Sequence, residues 1–130
     1  MNFGLTEEQE MIVSTVRSFV ENEIYPHEDL VERSGEVPVE IANEIKRKTL
    51  ELGFYACNFP EEVGGAGLSH LDFALVEREL GRGSMALNHF FGRPQNILMA
   101  CEGEQRARYL LPAARGERMD ALAMTEPEAG

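Results

Sequence analysis

The sequence predicts an all-α fold, a bundle of five to six helices with one trailing β-strand. Three observations lead there. Apolar residues recur at helical spacing through most of the chain. Thr6 and Ser69 stand where helix N-caps belong, each followed three residues on by a side chain, Gln9 or Asp72, that can complete the cap. A strand-like apolar run occurs once, from Met119 to Thr125.

Thr6-Glu7-Glu8-Gln9 fits a capping box, and its acidic first turn suits the helix dipole. Ile12, Val16, Phe19, Val20 and Ile24 then form one stripe, and Pro26 is expected to end or kink this helix near Tyr25. Residues 27–36 are acidic and close on Ser34-Gly35, a loop signal. Pro38 suits the first position of a second helix whose buried face would be Ile41, Ala42, Ile45, Thr49 and Leu52, with Gly53 as its cap. Residues 54–60 read as a buried, extended connector.

The loop Pro60-Glu61-Glu62-Val63-Gly64-Gly65-Ala66-Gly67 has neither dinucleotide-binding nor P-loop spacing and no basic residue, so it reads as a tight structural turn rather than a phosphate cradle. Ser69 caps a third helix, apolar on most sides and therefore expected at the centre of the bundle. A fourth helical stretch runs from Ser84 to Ala100, rich in Met and Phe of core type, with Pro94 expected to kink or break it. A fifth covers Glu104 to about Leu111, and Pro112 ends it or opens a last turn closing near Gly116.

The 130 residues, 43% hydrophobic, suffice for one modest core. A net charge of −11 opposes binding to phosphate backbones, so nucleic acid is set aside as a partner. Cys57 and Cys101 form no C-x-x-C, and His27, His70 and His89 lack metal spacing, so no metal is expected. The acidic residues among the first twenty argue against a signal-peptide core, and no run approaches a membrane span. A cytoplasmic location is the expectation. The carboxylates fall on predicted helix surfaces, and the serines have no His/Asp partner in reach by sequence, so composition and spacing propose no catalytic group.

Several stretches, taken in order, carry a resemblance. These are "LTEEQEMIVSTVRSFVENEIYP", "ELGFYACNFPEEVGGAGLS", "LVEREL" and "EGEQRARYLLPAARGERMDALAMTEPEAG". They resemble the N-terminal part of the acyl-CoA dehydrogenase family, over essentially the whole chain. The resemblance implies an N-terminal helical domain at residues 1–116, and the first strand and turn of a further β domain at 117–130. It implies a full-length parent, usually a homotetramer, that binds FAD and oxidises an acyl-CoA to its 2-enoyl-CoA. A glutamate base takes the α-proton, the β-hydrogen leaves as hydride to flavin N5, and an electron-transferring flavoprotein is the partner that collects the electrons. That glutamate belongs to a C-terminal domain, so no residue here is assigned as catalytic and the fragment alone is expected to be inactive.

The resemblance also implies site residues. Leu122, Ala123, Met124 and Thr125 fall on the strand that lines the isoalloxazine, and Gly130 in the turn toward the pyrophosphate. An aromatic is common at the position of Leu122. Ser84, Asn88 and Phe91 share a helix face that would contribute to the acyl pocket. Arg93, in "FFGRPQN", replaces a residue that is usually small or aliphatic. Two other readings stay open: a helical interaction or assembly module without chemistry, and a relative using the flavin for another oxidation.

Overall fold

Thr6 starts the first helix as its sequence requires. Its hydroxyl accepts the Gln9 amide at 3.2 Å, while the Gln9 side chain accepts the Thr6 amide at 3.1 Å, closing the capping box of α1 (Glu7–Phe19). The computed structural model describes residues 4–129.

The chain then departs from expectation. Pro26 does not end the helix. A π-turn at Val20–Ile24, closed by the Tyr25 amide on the Val20 carbonyl, leads directly into α2 (Tyr25–Ser34). Residues 27–34 are therefore helix, and the loop begins at Gly35, whose φ of +71° ends it. Proline lacks an N–H and its ring crowds the preceding turn. A turn widened by one residue is a known way to pass such a defect without breaking the axis. The same device recurs. The π-turn Arg106–Leu110 precedes α6 (Leu111–Ala114), so the helix runs through Pro112 to Ala114.

Pro38 is the N-cap of α3 (Val39–Glu51) and not its first residue. Ala42, Ile45 and Thr49 form its buried face, and the Thr49 hydroxyl is satisfied by the Ile45 carbonyl at 2.9 Å. Ile41 is half-buried and Leu52 is exposed, because α3 ends before Leu52 comes round to the core. Of residues 54–60, Tyr55, Ala56, Cys57 and Phe59 are buried and Phe54, Asn58 and Pro60 half-buried, and they run in successive turns and not as an extended piece.

In the glycine-rich loop, a 3-10 turn at Glu61–Val63 is followed by Gly65 and Gly67, whose amides donate to Pro60 and Phe59 carbonyls at 3.1 and 2.9 Å. A Cβ on Gly65 would stand 2.0 Å from the Phe59 carbonyl oxygen, so glycine is required by close backbone approach. Ser69 caps α4 (His70–Leu80), and its hydroxyl accepts the Asp72 amide. Leu75, Val76 and Leu80 of α4 are buried, but Leu71 is exposed, so α4 is covered on one side and is not fully central.

The fourth stretch is two short pieces. α5 (Met85–Asn88) passes into a 3-10 turn at His89–Phe91, Gly92 at φ +80° stops it, and a second 3-10 turn follows at Asn96–Ala100. Leu87 and Phe91 are core as predicted. Met85 and Ile97 are not, at 89% and 75% exposure.

The main core joins α1, the π-turn after it, α2, α3 and α4 through Val16, Phe19, Ile24, Val31, Ile45, Val76 and Leu80. Phe91 meets Phe19 edge to face at 5.2 Å, which ties the turn after α5 to α1. A second cluster collects Tyr55, Phe59, Val63, Leu110 and Ala114.

The trailing strand predicted for Met119–Thr125 is not formed. Residues 119–125 are neither helix nor strand, and only an isolated bridge pairs Glu126 with Ala129. A strand is stabilised by a ladder partner, and no described residue supplies one. Among the described residues no helix is long and apolar enough to cross a membrane.

Candidate functional site

A groove of about 540 Å³ lies between α4, the α5 turn and the segment after Gly92, with residues 119–122 along one edge. Helical spacing puts its side chains in place. Phe73 and Glu77 are one turn apart on α4, and Met85 and His89 one turn apart across α5. Tyr55 adds an aromatic wall. Its ring packs so closely on Gly92 that a Cβ there would lie 1.9 Å from Cε2, and a Cβ on Gly116 would lie 3.1 Å from Cζ. Burial, with the nearby charge of Asp120, pushes the Tyr55 phenol above its ordinary pKa.

Polar groups share the lining with these side chains. Arg93 Nε pairs with Glu77 Oε1 at 2.5 Å, and Arg93 Nη1 donates to the Asn88 carbonyl at 2.9 Å. Asn58 Nδ2 donates to the Pro94 carbonyl and to Asn96 Oδ1, each at 2.8 Å, which leaves Asn58 Oδ1 facing no donor among the described residues. The Gln95 amide donates to Asp120 Oδ2 at 2.8 Å, which holds residues 119–122 against the groove. A ligand with both apolar and polar parts fits this mixed lining. No cluster of metal-ligating side chains exists among the described residues.

The predicted flavin-facing residues are exposed. Leu122, with Ala121, lines the groove, and Leu122 and Met124 are 65% and 75% exposed. Ala123 and Thr125 are exposed as well, while Gly130 lies outside the described residues. Among the described residues, neither the backbone of 121–125 nor the Thr125 hydroxyl is hydrogen-bonded. A set of free donors beside exposed apolar side chains is chemically suited to the polar edge and flat face of an isoalloxazine.

Ser84, Asn88 and Phe91 are placed differently. The Ser84 amide donates to Glu28 Oε1 at 2.6 Å. Asn88 is buried, with Nδ2 on the Leu80 and Gly83 carbonyls. Phe91 is fully buried against Phe19. None of the three lines the groove. Met85 and His89, each one residue further on, do so together with Arg93. Spacing identifies which residues share a helix face, but the direction of that face is set by packing. The groove residues that sequence reasoning missed, Tyr55, Asn58, Phe73 and Glu77, carry only a weak signal: Phe73 and Glu77 at i,i+4 on a predicted helix.

Residues 6–117 match the family described as acyl-CoA dehydrogenase, N-terminal domain. A probable acyl-CoA dehydrogenase, YngJ, of Bacillus subtilis is 36% identical, aligned over 100% of this chain and 34% of its own length. The 3-(aryl)acrylate reductase of Clostridium sporogenes is 35% identical over 96% of this chain and 33% of its own. The crystal structure of acyl-CoA dehydrogenase from Geobacillus kaustophilus superposes with a TM-score of 0.74 at 29% identity, covering 100% of this chain and 34% of that one. The chain thus spans about a third of the length of these relatives. It belongs to the acyl-CoA dehydrogenase family, with residues 6–117 as the N-terminal domain.

Proposed function

We propose that this chain is the helical N-terminal part of an FAD-dependent enzyme that oxidises an acyl-CoA to the 2-enoyl-CoA and hands the electrons to an electron-transferring flavoprotein. The observation that carries the reading is the groove itself. It runs between the helical body and residues 119–122, next to the segment that the family resemblance associates with the flavin. FAD, when bound, supplies the hydride acceptor. This chain contributes position and shelter. The backbone amides of 121–125 and the Thr125 hydroxyl are available to the polar edge of the ring, and the family resemblance assigns Gly130 to the turn toward the pyrophosphate. Tyr55, Phe73 and Met85 exclude water along the groove. Met85, His89 and Arg93 supply an acyl-pocket wall. Residues 117–130 open a β domain, and a homotetramer is the assembly. The base and most of the FAD and CoA sites belong to the rest of such an enzyme, so residues 1–130 alone are inactive and hold FAD weakly or not at all.

The test is anaerobic addition of acyl-CoA to the purified full-length protein. Bleaching of the flavin band with formation of 2-enoyl-CoA, detected by mass spectrometry, is expected. A protein that carries no flavin, or a flavin that no acyl-CoA reduces, overturns the reading.

A further inference from the structure

Resting on the reading above, in which residues 121–125 face the flavin and the groove takes the acyl group, we propose that Asp120 is a positioning residue for the reaction. Its carboxylate, held by the Gln95 amide, fixes the flavin-facing segment at a set distance from the acyl groove. Three observations carry this.

The bond stands alone. The Gln95 amide donates to Asp120 Oδ2 at 2.8 Å. Upstream, the chain is pinned as far as Arg118, because the Glu117 and Arg118 amides both donate to the Pro112 carbonyl, at 2.9 and 3.3 Å. Downstream, the Glu126 amide donates to the Ala129 carbonyl and closes a local turn. From Met119 to Thr125, the Asp120 bond is the single hydrogen bond made among the described residues.

Packing does not replace it. Met119, Leu122 and Met124 are 50%, 65% and 75% exposed, and of residues 117–129 Asp120 alone is not exposed. A segment with so few contacts opens locally at little cost. One charge-assisted hydrogen bond is therefore what keeps its start in place.

The receiving side is built in. Gln95 follows the buried Gly92 and Pro94, and the Asn58 side chain donates to the Pro94 carbonyl at 2.8 Å. Gly92 packs on Tyr55, and its carbonyl accepts the Ala56 amide at 2.9 Å. The groove wall and the flavin-facing segment thus share one link. Reaction rate is steep in such spacing, since a misplacement of about 1 Å costs on the order of a hundredfold.

The bond can be removed from either side. Asp120→Ala deletes the acceptor, and Asp120→Asn keeps one. Gln95→Pro deletes the donor, and the Gln95 φ of −67° already suits proline. In the full-length protein as purified, hydrogen–deuterium exchange read by mass spectrometry follows the segment. Stopped-flow reduction of the flavin follows the reaction, with butyryl-, hexanoyl- or dodecanoyl-CoA, whichever reduces the wild type fastest. Asp120→Ala is expected to speed exchange at Gln95 and across residues 121–125 about tenfold, and to slow flavin reduction about tenfold or more with KM little changed. Gln95→Pro should have the same effect on residues 121–125 and on the rate, and the double variant should be no worse than either single one. Asp120→Asn should restore both readouts. Unchanged exchange in Asp120→Ala means that the bond does not hold the segment, and overturns the proposal. Faster exchange with an unchanged reduction rate overturns the positioning role, as does a failure of Asp120→Asn to restore the rate. The two single deletions lie in different segments, so loss of the fold in one leaves the other to decide. A wild type that carries no flavin, or a flavin that no acyl-CoA reduces, overturns the underlying function instead, and the exchange measurement keeps the two failures apart.

Discussion

Arg17 on α1 grips Glu79 on α4 at two points, Nε to Oε2 at 2.9 Å and Nη2 to Oε1 at 3.2 Å. Arg78 adds a contact at 2.9 Å and Arg82 one at 3.7 Å, so one buried carboxylate gathers three arginines at the edge of the main core. The Glu79 side chain is 2% exposed and that of Arg17 43%, so the acid is enclosed while its partners still reach water.

This arrangement predicts an acid limb of stability. The Arg17 hydrogen bond, more than any other cause, holds Glu79 below its ordinary pKa of 4.5. A group whose folded-state pKa is depressed stabilises the fold above the unfolded value, and that contribution is lost as pH falls through the folded value. Glu79→Gln should lower stability at neutral pH by about 2 kcal/mol, the scale of hydrogen bonds to a charged group. It should also flatten the loss of stability between roughly pH 5 and pH 3. Thermal melts across that range check this. Parallel pH profiles for the two proteins would show that Glu79 does not set the acid limb.

Gly92→Ala should be among the costliest small substitutions in the chain. Its φ of +80° is unfavourable for alanine, and the added Cβ would meet the Tyr55 ring at 1.9 Å, backed by the amide of Ala56 that donates to the Gly92 carbonyl at 2.9 Å. Overpacking of this kind costs about 3 kcal/mol. Chemical denaturation of Gly92→Ala, Tyr55→Ala and the double variant should show the two changes to be strongly non-additive, since removing the ring removes the clash. Additive losses would mean that the backbone conformation alone makes the glycine necessary.

The two thiols should behave differently. Cys57 is fully buried, and burial pushes its pKa up to about 11. The thiolate is the reactive form, so Cys57 should resist iodoacetamide at pH 8 in the folded protein and react only after denaturation. Cys101 is half-exposed and should be labelled first. Peptide mapping by mass spectrometry separates the two, and early labelling of Cys57 would reveal local opening around residues 54–60.

Much of the fold was legible because its signals are local. The Thr6 and Ser69 caps and the stripe from Ile12 to Ile24 depend on neighbours within a turn or two, and the structure has them. What failed depends on distant partners. Met119–Thr125 has strand chemistry but no ladder to join. Met85 and Ile97 look like core residues, yet nothing in the described chain covers them. The groove was half legible. Arg93 stood out as an unusual residue, but its pairing with Glu77, 16 positions earlier, exists only once α4 and the turn after α5 are folded together. Ser84, Asn88 and Phe91 share a face by spacing, and the packing of Phe91 on Phe19 directs that face inward.

The two prolines that the helices pass show what the wide turns do to helical phase. In each case five residues of π-turn, Val20–Ile24 or Arg106–Leu110, are followed by one residue and then proline. An extra residue in one turn advances every later side chain by about 100° around the axis. Buried Val31 on α2 and buried Ala113 and Ala114 on α6 therefore point inward only because that extra residue is present. Deleting one residue from either wide turn would keep the hydrogen-bonded rod yet rotate these residues out to solvent. In these two places the length of the chain is as tightly constrained as its chemistry.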